Sequence, residues 1–184
     1  MAAVLGMALS GVMVLTASRA AFSAQTQNTG NSVSVGDVAL VDDDTGSAMF
    51  SVTNMAPGDT TQACIAVTYQ GTIADPSAVK LYSGGFTDSG ALADELDITV
   101  EVGTGGSFAD CAGFTPASTI FATNTLTSFD TTHTDYTNGA VGWDPAGTPE
   151  SRTFRFTIDL PSDAPDTVQG DSVTDLIFTW EVQS

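Results

Sequence analysis

Positive charge is what this chain has least of: Arg19, Lys80, Arg152 and Arg155 stand against 22 Asp and Glu, for a formal net charge of −18. A field of that sign repels nucleic-acid phosphates and anionic lipid, so neither is an expected partner. It keeps a monomer soluble and is tolerated where salt or other cations screen it. Histidine is almost missing, with His133 alone. The HExxH motif of a zincin needs two imidazoles on one helical face and a Glu to activate water, and nothing here supplies it. Cysteine is limited to Cys64 and Cys111, too few for a zinc site that takes four ligands, or three and a water. Long amphipathic helices and internal repeats are absent too, which leaves short strands as the building material.

The one extended apolar stretch is at the start. Residues 1–17 carry no charge and are mostly Ala, Val, Leu, Met and Gly, shorter than the about 20 apolar residues of a spanning helix. The small Ser18 and Ala20 suit cleavage after Ala20, with a cut after Ala21 as the neighbouring choice, so residues 1–21 read as a signal peptide. A retained membrane anchor is the alternative. The missing basic n-region points to a start further upstream or a trimmed chain. The remaining 22–184 suffices for one domain burying roughly two thirds of its unfolded surface. Export to an oxidising space makes a Cys64–Cys111 disulfide the expected state. It would close a loop worth on the order of 4 kcal/mol in the chain-entropy view; two free buried thiols are the alternative.

Runs rich in Val, Ile, Thr, Phe and Tyr recur between clusters of Gly, Asp, Pro and Ser, the punctuation of an all-β domain. The pattern predicts strands at Ser32–Leu40, Ala48–Asn54, Ala63–Tyr69, Val79–Tyr82, Asp97–Val102, Thr153–Leu160 and Thr174–Val182. In TFRFTIDL the residues Phe154, Phe156, Ile158 and Leu160 share one face; in LIFTWEV so do Leu176, Phe178, Trp180 and Val182. That alternation predicts two strands lining one side of a sandwich. Pro57-Gly58-Asp59 predicts a turn, Asn138-Gly139 a tight hairpin turn. Ser89–Leu96 reads as one short helix capped by Ser89. The stretch from Gly103 to Pro149 is the least regular.

Four stretches taken together carry a resemblance: Ala20–Phe22 (AAF), Asn28–Leu40 (NTGNSVSVGDVAL), Phe50–Asp59 (FSVTNMAPGD) and Phe154–Glu181 (FRFTIDLPSDAPDTVQGDSVTDLIFTWE). In order and spacing they resemble the TasA and camelysin family of exported β-sandwich proteins. The resemblance implies a β-sandwich of jelly-roll type with one short helix, and a signal removed by a SipW-type signal peptidase. It also implies a place at the cell surface or in the extracellular matrix, where fibre-forming members polymerise through an N-terminal strand. This chain is shorter than the long fibre formers and has a cysteine pair they lack, so it is similar to a small acidic branch. Phe22–Val35, polar at first and then alternating, has no hairpin turn tying it to a local partner. It is the expected joining segment, with Phe22, Asn28, Asn31, Val33 and Val35 facing another copy or another matrix protein; pairing within its own domain is the alternative.

Relatives similar to camelysin are classed as metallo-endopeptidases, so catalysis has to be weighed. His133 lies in the polar run SFDTTHTDYTN and reads as a solvent-exposed loop histidine. Asp44-Thr45-Gly46 with Asp88-Ser89-Gly90 imitates an aspartic-protease pair, but Asp42 and Asp43 precede it where an apolar strand should stand, and VDDDTGSA reads as a turn. The glycine-rich Gly103–Ser107 has no following Lys to make a phosphate loop. Asp42, Asp43 and Asp44 form the one candidate metal site, for calcium, although side chains in sequence diverge on a strand. Trp143 is expected to anchor its loop onto the sandwich. The expectation is a secreted structural protein without catalysis or a required cofactor; a secreted metallo-endopeptidase and a calcium-dependent adhesion module are the alternatives.

Overall fold

A computed structural model describes residues 35–52 and 54–184. Eight strands follow in chain order: β1 (Leu40–Asp42), β2 (Thr60–Tyr69), β3 (Val79–Asp88), β4 (Asp97–Thr104), β5 (Thr115–Thr125), β6 (Ala140–Trp143), β7 (Glu150–Asp159) and β8 (Val173–Glu181). One short helix, α1 (Leu126–Thr132), separates β5 from β6. The strands make two antiparallel sheets, β1-β2-β7-β4-β5 and β6-β3-β8, packed as a sandwich.

Period-two alternation decides which residues enter the space between the sheets. On β2, Ile65, Val67 and Tyr69 are buried; on β4, Ile98, Val100 and Val102; on β7, Phe154, Phe156 and Ile158. Leu81 and Val79 answer from β3. The two C-terminal strands do not share one side as the sequence suggested. β7 lies at the centre of the five-stranded sheet and β8 at the edge of the other, so their apolar faces meet across the core. Phe156 packs on Phe178 with centroids 4.5 Å apart, and Phe154 on Trp180 at 5.5 Å. Alternation shows which face is apolar, not which sheet the strand joins.

The strand order is that of a roll. β2 with β7, β4 with β5 and β3 with β6 are successive rungs of one long antiparallel hairpin wrapped on itself, the jelly-roll form of an all-β sandwich. The rung that would complete the series, β1 with β8, is absent: β1 pairs with β2, Leu40 opposite Tyr69. Among the described residues the outer edge of β8 has no strand beside it.

Several local expectations are corrected. Of the described part of Ser32–Leu40 only Leu40 is in a strand, although the Asp37 and Ala39 carbonyls already accept the amides of Thr72 and Gln70. Ala48–Asn54 joins neither sheet; Asn54 has φ +59°, which interrupts an extended run. The short helix is not at Ser89–Leu96. That segment holds only a 3-10 turn at Leu92–Asp94 without a side-chain cap, and Asp88, not Ser89, accepts the amides of Gly90 (3.1 Å) and Ala93 (3.0 Å). The helix forms inside the supposedly irregular Gly103–Pro149, with Thr125 Oγ1 accepting from the Ser128 amide and Leu126 and Phe129 buried. Asn138-Gly139 is no hairpin turn. It closes the loop between α1 and β6, where the Asn138 side-chain oxygen accepts the amides of Thr134 and Asp135. Trp143 lies on β6, 7% exposed, against Phe154. Pro57-Gly58-Asp59 is a turn as expected, with Gly58 at φ +93° and the Asp59 amide bonded to the Ala56 carbonyl.

Candidate functional site

The edge left open by the missing rung is where the molecule offers most to a partner. β8 is bonded to β3 on one side, through Leu81–Trp180, Tyr82–Thr179 and Ser83–Phe178. The bulge at Gly84 and Gly85 shifts this register, and a Cβ on Gly84 would lie 2.6 Å from Ile177 Cγ2. Glycine therefore lets β8 lie close there. On the other side of β8 runs a groove of about 1160 Å³. Its walls are the Ala48–Val52 stretch with Met55, the 164–171 loop and the β8 residues Leu176, Ile177, Phe178 and Trp180. Phe50 reaches down to Phe156, ring centroids 6.4 Å apart. Ile177 and Val52 remain about half exposed, at 52% and 47%. Its floor includes Leu96, Leu126, Ile158 and Leu160 of the core, and beside an unpaired strand an extended peptide could bond its backbone to the edge and seat alternate side chains. The Trp180 indole N–H, on this wall, has no hydrogen-bond partner.

The joining residues Phe22, Asn28, Asn31 and Val33 lie outside the described residues. Val35 is described: it is in no strand and is 94% exposed.

The acidic turn works mostly for the fold. Asp43 Oδ1 accepts the Ala66 amide of β2 at 2.8 Å, and its Oδ2 accepts the Phe108 amide at 2.8 Å. One carboxylate thus ties the turn to β2 and to the loop before Cys111. Asp44 Oδ1 accepts the Gly46 amide at 2.6 Å, with Thr45 and Gly46 both at positive φ, so the DTG triplet is a turn. Asp42 Oδ1 faces the Asp44 amide at 3.4 Å. Partial burial, then the neighbouring Asp44, raise the Asp42 carboxyl above its ordinary range. Among the described residues no three His, Cys, Asp or Glu side chains converge as metal ligands. Asp88, the other half of the protease-like pair, has both oxygens on backbone amides of its own loop.

Cys64 and Cys111 are joined, with Cα atoms 5.3 Å apart. The bond pins the 105–114 loop to the outer face of the five-stranded sheet. Beside it Arg155, directly opposite Cys64 on β7, gives Nε and Nη2 to Glu101 at 2.9 and 2.5 Å and lies under the Phe114 ring at 4.6 Å.

His133 is a structural residue and not an exposed loop histidine. It is half buried at the C-terminus of α1, its ring packs on Phe129 and Phe121 at 5.2 and 5.5 Å, and Nδ1 meets the Asn138 carbonyl at 2.7 Å. Sequence reasoning overlooked the β8 edge as a site. Its signal was present, in LIFTWEV read as a strand, but an open edge shows only once every partner strand is placed.

Comparison with known proteins yields no match, either to a protein-family model or to a curated protein.

Proposed function

We propose that this is a secreted structural protein of the cell surface or extracellular matrix, similar to the TasA and camelysin family, whose copies join by an extended N-terminal segment. The observation that carries the reading is the open edge of β8 beside an apolar groove. A strand laid there would supply the missing rung and bond the unpaired backbone, which otherwise is the kind of edge that natural sheets cover or blunt. Phe22–Val35 is the candidate occupant. It holds no charged residue, it alternates toward its end, and signal removal would free it. Joining copy to copy by different surfaces is heterologous and propagates open filaments. The work of such a protein is contact and not chemistry: its lone histidine and its DTG triplet are both engaged in local structure.

Electron microscopy of the mature chain with and without residues 22–35 tests this. Filaments from the complete chain that vanish on truncation are expected. Complete and truncated chains that both remain monomeric at every salt and pH tried would overturn the reading. A calcium-dependent adhesion module remains the second reading, resting on the Asp42–Asp44 turn; it requires a calcium-induced rise in Tm that Asp42→Asn with Asp44→Asn abolishes. The metallo-endopeptidase reading requires chelator-sensitive cleavage of casein, lost in His133→Ala.

A further inference from the structure

Charge is divided along this chain in a way that bears on how copies meet. All 22 acidic residues lie between Asp37 and Glu181, and none lies in the first 36. The positive side chains within the acidic body number three, Lys80, Arg152 and Arg155, and each is already engaged. Arg155 is forked onto Glu101, Arg152 Nη2 lies 2.7 Å from Glu150, and Lys80 sits over the Tyr136 ring at 4.8 Å with Nζ on the Thr137 carbonyl at 3.3 Å. Both arginines are thus paired with carboxylates, which leaves Lys80 alone among the described side chains to set against the acids of another copy. The acids are placed where copies would approach: Asp166, Asp171 and Asp175 line the groove beside β8. Away from the groove, Asp97 and Asp159 stand directly opposite each other on adjacent strands of the five-stranded sheet and add to the negative field of the body.

We infer that counter-cations gate the joining of copies at the β8 groove. The inference rests on the joining function proposed above. The segment has no charged side chain and brings one α-amino charge of its own, while its entry draws two strongly acidic bodies toward each other. Their repulsion extends about 30 Å at 0.01 M salt and about 3 Å at 1 M. Assembly is therefore suppressed in dilute buffer and released by salt. The sign is diagnostic, because an interface built on complementary charge weakens with salt. The cations act as a diffuse atmosphere around the rim and the sheet face.

The test is static light scattering of the complete mature chain across a sodium chloride series at pH 7, repeated with Asp166→Asn/Asp175→Asn. The concentration needed for assembly should fall about tenfold or more from 10 mM to 0.5 M salt. The variant should reach the same point at lower salt. Below that concentration the second virial coefficient should be strongly positive at 10 mM and fall toward zero with salt. Assembly that is equal at all salts, or weaker at high salt, overturns the gating while leaving the joining function intact. A chain that is monomeric throughout overturns the joining function, and gating with it. A negative virial coefficient at 10 mM overturns the gating whatever the assembly state.

Discussion

The two sheets of the sandwich obey the same alternation but differ in how their margins are treated. The five-stranded sheet is secured on its outer face: the Cys64–Cys111 bond, the Asp43 carboxylate on the amides of Ala66 and Phe108, and Arg155 between Glu101 and Phe114 all hold the 105–114 loop over it. The three-stranded sheet is left open. Its last strand, β8, borders a groove and exposes Ile177. The covalent and polar ties are on one sheet, and the edge strand that borders the groove is on the other.

Breaking the shared core should affect both sheets most. Phe156 is fully buried and touches Phe50, Phe178 and Trp180. Phe156→Ala is expected to destabilise by about 3–5 kcal/mol, measured by urea denaturation. Removing the latch of the five-stranded sheet comes next. Cys64→Ser/Cys111→Ser frees a loop with a sequence separation of 47 residues and should cost about 4 kcal/mol if chain entropy dominates, with the β8 edge unchanged. Asp43→Ala leaves two amides without their acceptor and should cost about 2 kcal/mol. Asp44→Ala, which loses only the Gly46 amide, should cost less; thermal melts of the pair separate the carboxylate that holds two distant amides from the one that holds a single local amide.

The smallest effect is a test of sign. The Asp42 carboxyl is raised in the folded chain by partial burial and by Asp44, so the folded state holds that proton more tightly than the unfolded one. Its contribution favours folding below the ordinary aspartate range and is lost as pH rises through the folded value. Asp42→Asn should therefore be slightly more stabilising at pH 7 than at pH 3. Asp37 runs the other way. The Thr72 hydroxyl, 2.6 Å away, holds its carboxyl below the ordinary value, so its contribution is present above about pH 4 and fades as pH falls. Melts of Asp37→Asn and Asp42→Asn at both pH values should give opposite trends.

What the sequence disclosed was what alternation and turn residues encode. β2, β4 and β7 came through because buried apolar residues recur at every second position, and β8 because the partly buried Leu176, Phe178 and Trp180 do. β5 did not, because TPASTIFATNT is an edge strand with nearly every residue exposed and its register shifted against β4. β6 is four residues long and α1 has two apolar positions, too few for a period to show. Ala48–Asn54 has strand composition but no partner strand, and composition cannot supply one. The disulfide was expected from the compartment, whereas the tie made by Asp43 depends on where β2 and the 105–114 loop are brought by the fold. The open edge of β8 was least accessible of all, being a property of strand order.

Hydrogen exchange at the backbone of β8, before and after assembly of the mature chain, tests the central claim most directly. If a strand enters the groove, amides within Val173–Glu181 that exchange quickly in the monomer become protected in the assembly, while those of β2 and β7 hardly change. Unchanged exchange along β8, with new protection at β5 or β1 instead, would contradict it.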